Sequence, residues 1–382
     1  MVTVILILLT ILVLSVATIT TFSYVKRDDL HRWLIPYIKT RSQRGAAKYP
    51  VNLYVAVCNH FSPFYKGVSQ EIAEHRVATW CREYPKFALQ HCDSHGKYPI
   101  HTFFYNERDY NPRFMDSLCK LSKNGFADIE ILACSTQGNP YNLKRRVEEF
   151  RDVLYHHHGL LEMSQQGEIT FGYVHDNTHS YHTARSTDFS QLDLTDRSCA
   201  LKSSGCYADF SNNYAPEFAQ SSFFNSIFFT AASDKTTDTQ YRINLARVNH
   251  WPESDLLTIQ GPLALNWQNR VFGVLPKVEN GELGYYRRFT PRRVALWLNS
   301  QIYVHGAENH LFLKLHTLGA VDCNVRYLLG EMGLHCLYHE LENNYNDGSD
   351  YVLHYVSARE MHGKIRDICH KGALTDKNHH FF

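Results

Sequence analysis

The chain has 382 residues, with 39 Lys or Arg against 38 Asp or Glu, so its formal net charge is only +1. That balance leaves no global basic field for nucleic acid, while 44% hydrophobic and 13% aromatic residues are enough to bury a large core. The ten cysteines, at 58, 81, 92, 119, 134, 199, 206, 323, 336 and 369, form no C-x-x-C pair, which excludes a small disulfide framework and favours a reducing compartment.

Residues 2–25 carry no charge and are dominated by Leu, Ile and Val. At about 1.5 Å per residue such a helix is roughly 36 Å long, enough to cross a hydrocarbon core of about 30 Å. The sequence therefore predicts a transmembrane anchor over 1–25. A cleaved signal peptide is the rival, but no basic side chain precedes the apolar run and Ala17-Thr18-Ile19 fits a cleavage site poorly. Lys26, Arg27, Arg32, Lys39, Arg41 and Arg44 all follow the run, which predicts a single-pass protein of the inner or cytoplasmic membrane with its large domain in the cytoplasm. Residues 26–48 read as a basic juxtamembrane connector whose Trp33, Leu34, Ile35, Tyr37 and Ile38 suit an interface, and whose cluster at 39–44 suits anionic headgroups or plain solvent.

One folded domain is expected over 49–370, followed by a polar tail at 371–382. Asn52–Val57 reads as a buried strand, and Ser69 as the cap of a helix over 70–84. His101–Tyr105 is a strand, 112–124 a helix, 129–132 a strand, 143–158 a helix and 169–174 a strand. Further on come a strand at 256–259, a helix at 291–300, a strand at 311–315, a helix at 325–343 and a strand at 351–356. Strands alternating with helices imply a parallel sheet, open or closed into a barrel.

Polar residues recur where these strands end: Asn59-His60, His175-Asp176-Asn177, Asp209 and His316, with His101 beside the second strand. In a parallel barrel the C-terminal strand ends converge, so such residues would share a site; any single histidine is more often structural, and it is their recurrence in corresponding positions that points to a site. The segments Asn59–Phe64, His101–Tyr105, Gly205–Phe210, Ile259–Trp267, Lys314–Thr317 and His354–Met361 together resemble a group of bacterial proteins related to polysaccharide deacetylases. The resemblance covers about residues 50–365 and implies a distorted (β/α) barrel.

It further implies metal-assisted removal of an acyl group from an amino sugar. An aspartate and two histidines would hold a divalent metal, a second aspartate would act as base, and a late histidine would protonate the leaving amine. His316 matches that late histidine. Asn59, however, stands where the first aspartate is expected, preceded by Cys58, and the third strand reads Glu130-Ile131-Leu132-Ala133-Cys134 without a histidine. An amide is a poor anionic ligand and leucine binds no metal, so the usual site looks dismantled.

Three readings follow. The first is a deacetylase-like protein that keeps carbohydrate binding in envelope or exopolysaccharide metabolism with its metal site lost. Its candidate catalytic residues are His316 and Asp209, and its candidate substrate-binding residues are Asn59, His60, His101, His175, Asn266, Trp267 and Lys314. The second is an active deacetylase or hydrolase with a relocated Cys/His zinc site drawn from Cys58, His60, Cys134 and His316. The third is a scaffold without ligand. No cofactor is expected on the first reading. The expected partners are the membrane through 2–25, a glycan or amino-sugar ligand and envelope-glycan assembly proteins.

Overall fold

The run after Tyr49-Pro50 is rich in β-branched and aromatic residues and forms β1 (Val51–Phe61), nearly every residue of which is buried. The computed structural model describes residues 49–134, 140–175, 192–211, 224–231, 243–271, 273 and 275–371, with isolated positions between 5 and 41. After β1 come α1 (Gln70–Ala88), β2 (His101–Asn106), α2 (Pro112–Lys123), β3 (Ala127–Ala133), α3 (Pro140–His158), β4 (Glu162–Met163) and β5 (Ile169–His175). Next are α4 (Leu192–Ser203), β6 (Cys206–Asp209), β7 (Ile227–Thr230), β8 (Ile243–Leu245), β9 (Leu256–Ile259), β10 (Leu263–Val271), β11 (Leu275–Asn280) and β12 (Glu282–Leu283). The chain continues through α5 (Pro291–Leu298), β13 (His310–Thr317), α6 (Asp322–Leu328), α7 (Cys336–Asn344), β14 (Tyr351–Tyr355) and α8 (Ala358–Lys371).

Local chemistry starts the helices where the sequence expects them. Asn111 accepts from the Arg113 N–H and Pro112 fills the first turn of α2, whose Phe114, Met115, Leu118 and Leu121 are buried. Ser69 has the extended backbone of a cap, but its side chain makes no capping bond. The single helix expected over 325–343 is instead broken between α6 and α7, because Gly333 takes non-helical angles (φ −97°, ψ −114°).

Twelve strands form a mostly parallel sheet in the order β12-β13-β1-β2-β3-β5-β6-β9-β7-β8, with β14 on β1 and β4 on β5. β10 and β11 make a separate antiparallel pair. The barrel expected from sequence is corrected here, since closure needs every strand paired on both sides. Among the described residues no ladder joins β12 to β8. The stretch 302–305 instead reaches between the two ends through isolated bonds, with the Phe312 N–H donating to Ile302 O and the His305 N–H to Ala246 O. β7 and β8 also break the parallel pattern, running antiparallel to their neighbours.

The membrane assignment is corrected as well. Most of 2–25 lies outside the described residues, and among the described residues no helix is long and apolar enough to cross a membrane. A span needs about 20 consecutive apolar helical residues, so neither the single-pass anchor nor the inner-membrane location is supported. From the connector, Tyr37 is buried against Phe224, Leu263 and Leu265. The polar tail lies outside the described residues beyond Lys371.

The period-two alternation of β1 sorts its side chains between two cores. Val51, Leu53, Val55, Val57 and Phe61 face the helical layer with Trp80 and Tyr84. Tyr54, Ala56 and Cys58 face the other core, with Phe104, Leu132, Phe210, Phe312 and Met361 and Ile365 of α8. On the helical side the Gly319 N–H donates to Asn59 Oδ1 at 2.8 Å, and Trp80 Nε1 donates to Gly319 O at 2.7 Å. A Cβ on Gly319 would overlap the Asn59 carboxamide. Gly319→Ala should therefore lower stability by roughly 1–3 kcal/mol through overpacking. Urea unfolding checks this, and an unchanged midpoint would contradict the packing described.

Candidate functional site

Register builds the site. β13 lies parallel to β1 with Ala56 opposite Lys314 and Cys58 opposite His316. His60, two residues beyond Cys58, points to the same side of the sheet, and its ring stacks on His316 with centroids 5.7 Å apart. Cys58, His60, Lys314 and His316 thus converge at the C-terminal ends of two adjacent parallel strands. All four are buried.

Lys314 reaches from this group to the end of β6. Its ammonium donates to Phe210 O at 2.5 Å and Ser211 O at 3.2 Å. Asp209 lies in the same corner: its Oδ1 accepts from the Ser211 N–H at 2.8 Å, and Arg197 Nη2 stands 3.9 Å from Oδ2. The His175 N–H donates to Ser211 Oγ at 2.9 Å, and its Nδ1 lies 3.1 Å from the Tyr173 hydroxyl. His175 and Asp209 therefore form a second group, joined to the first through Ser211 and Lys314.

The other sequence candidates lie elsewhere. Asn59 points to the helical side of β1, as the Gly319 bond requires. His101 is buried there too, stacked 4.7 Å from the Trp80 ring, and neither of its ring nitrogens has a hydrogen-bond partner among the described residues. Asn266 and Trp267 belong to the β10–β11 pair. Asn266 Oδ1 accepts from the Gln268 and Asn269 N–H groups, shaping a turn, and Trp267 is 54% exposed.

Two groups of functional interest went unread in the sequence. Glu130 sits in the apolar strand Ile129-Glu130-Ile131 and is fully buried. It accepts from the Tyr207 hydroxyl at 2.7 Å, from Arg359 Nη2 at 2.9 Å and from the Gly172 N–H. A charged residue inside an apolar strand was the available signal. The second group is the turn after β12, Gly284–Arg287. Because Glu282 pairs with His316, this turn emerges at the same strand ends, where Tyr286 is 85% exposed. Arg293 holds the turn by donating to the carbonyl oxygens of Asn280, Glu282, Arg287 and Arg288.

Burial dominates the electrostatics. It holds His60 down to about 3, aided by the Lys314 charge, and it holds His316 well below the ordinary histidine range, aided by His60, Lys314, Arg293 and Arg287. The Lys314 ammonium is lowered to about 8 by burial, and the Cys58 thiol is pushed up to about 12 by burial. At neutral pH the strand ends thus present two neutral imidazoles, an unionised thiol and an ammonium. Among the described residues no group of three or more His, Cys, Asp or Glu side chains is placed to hold a metal ion, so Cys58, His60 and Cys134 do not assemble a ligand set. Leu132 and Ala133 are buried with the apolar cores.

A scan against protein-family models matches no family, and a search of curated proteins finds no match.

The buried imidazoles make stability depend on pH. Burial holds His60, His101, His175 and His362 each to about 3, whereas unfolded histidine takes up its proton near 6.5. Between those values the unfolded chain binds more protons, so stability present above pH 6.5 is lost as pH falls toward 3, by at most about 1.4 kcal/mol per unit for each ring. Glu130, which burial pushes up to about 7, acts oppositely as pH rises from 4.5 to 7, and Asp128 and Glu282, which burial also raises, act in the same sense, but these three carboxyls are outnumbered by the four imidazoles. The urea midpoint should be lower at about pH 5 than at about pH 7.5. An equal or higher midpoint at pH 5 would contradict neutral buried histidines.

Proposed function

We propose that this chain is a deacetylase-like carbohydrate-binding protein acting in envelope or exopolysaccharide metabolism, which receives an acetylated amino sugar at its C-terminal strand ends without hydrolysing it. The observation that carries the reading is the stacked His60–His316 pair beside Lys314. In parallel α/β sheets the C-terminal strand ends are where ligands bind. Neutral imidazoles offer both donors and acceptors to hydroxyl and acetamide groups, and the Tyr285-Tyr286 turn at the same end supplies ring faces for a sugar.

The same chemistry argues against amide hydrolysis. A histidine whose pKa is far below neutral carries no proton to give a leaving amine at pH 7, and burial has driven His316 in that direction. Asp209 Oδ1 is already occupied by Ser211. Where the resemblance implies two metal-binding histidines, the third strand of this chain, Glu130-Ile131-Leu132-Ala133-Cys134, carries none.

Titration calorimetry with an N-acetylglucosamine oligomer, run alongside an acetate-release assay on the same protein, tests the proposal. Saturable binding without acetate above the blank is expected. His60→Ala and His316→Ala should each weaken binding roughly five- to tenfold, as for loss of one neutral hydrogen bond. Measurable acetate release, or binding indifferent to both substitutions, would overturn it.

A further inference from the structure

A cavity also lies away from the strand ends. It has a volume of about 140 Å³ and lies between β10, α5 and the residues Tyr37 and Arg41 that come before β1, lined also by Leu265, Trp267, Arg292 and Asn299 among others. This is well below the roughly 300–1,000 Å³ of sites for drug-sized molecules, so the space suits a single ring. Its wall is fixed by packing, because Tyr37 is buried against Leu263 and Leu265. Its rim is fixed by the turn at Asn266, whose Oδ1 also lies 3.5 Å from Arg292 Nε.

Two features define the occupant. Arg41 and Arg292 both line the cavity, and neither is paired with a carboxylate among the described residues. Most other arginines of the fold are engaged; Arg293, one residue from Arg292, bonds Glu279 at 3.1 Å and four carbonyl oxygens. Two unneutralised guanidinium groups facing one small space favour an anion, and their planar forks match a carboxylate in particular. Beside them Trp267 holds its indole 54% exposed. Leaving so large an apolar ring in water costs free energy that a flat-faced partner recovers on stacking.

We propose that this cavity is a subsite for a uronic acid residue of a glycan, its ring lying on Trp267 and its carboxylate held by Arg41 and Arg292. The site uses none of the residues at the strand ends, so it stands or falls separately from amino-sugar binding there.

The test is titration of the full-length protein with a glucuronate oligomer, read by quenching of tryptophan fluorescence and by calorimetry, with a neutral glucose oligomer and inorganic phosphate as separate arms. Saturable binding of the glucuronate oligomer is expected, with no binding of the neutral oligomer and no competition by equimolar phosphate. Arg292→Glu, Arg41→Glu and Trp267→Ala should each weaken it at least roughly tenfold. Far-UV circular dichroism and the urea midpoint should be unchanged, since all three side chains are at the surface. His60→Ala should leave uronate binding intact. Binding that survives the arginine reversals, binding of the neutral oligomer with equal affinity, displacement by equimolar phosphate, or no binding at all would overturn the proposal.

Discussion

The buried ammonium of Lys314 is the interaction on which the arrangement at the strand ends depends. It starts on β13 and ends on the carbonyl oxygens of Phe210 and Ser211 at the end of β6. In sheet order, β1, β2, β3 and β5 lie between those two strands. One side chain thus ties together elements that share no ladder. Removing it would leave two carbonyls unsatisfied at about 1–3 kcal/mol each. Its charge is also felt by both imidazoles of the pair, reinforcing the burial that keeps them unprotonated. A buried cation therefore holds the geometry of the site and reinforces the burial that sets its protonation state.

The alternation of β1 decides which polar residues can join it. Asn59 and His60 are sequence neighbours, yet one bonds Gly319 beneath the helical layer and the other stacks on His316. Asn59, where the resemblance leads one to expect a metal-binding aspartate, is a β1 residue whose carboxamide is taken up by the Gly319 N–H. The strand ends carry two neutral imidazoles and an unionised thiol beside the Lys314 ammonium. That combination underlies the reading of binding without turnover.

Much of the alternating frame was legible in the sequence because its strands are short apolar runs and its helices carry a one-sided apolar stripe, as in 112–123. A parallel sheet followed from that alternation, but the pairing of β1 with both β13 and β2 did not, since alternation carries no strand order. The antiparallel β7, β8, β10 and β11 did not follow either, since Leu263–Val271 is apolar at one end and exposed at the other rather than regularly alternating. Within the site, His60, Lys314 and His316 share a parity along paired strands, which a register would have revealed. His101 was grouped with them because it borders a strand, but it occupies the first position of β2 and packs on Trp80 instead. Glu130 and Arg359 meet across 229 residues of sequence, a pairing that only the fold brings into view. The apolar N-terminal run obeyed a composition rule for a membrane span, and composition alone does not establish a continuous apolar helix.

The central claim is that the paired rings of His60 and His316 stay neutral at physiological pH. Nitrogen-15 NMR of the imidazole side chains reads this directly, with His60→Gln and His316→Gln giving the assignments. Both rings should keep the neutral-tautomer nitrogen shifts from about pH 8 down to about pH 5. A transition of either ring near the ordinary histidine value of 6.5 would mean that a proton is available at the strand ends, and would contradict a site built for binding alone.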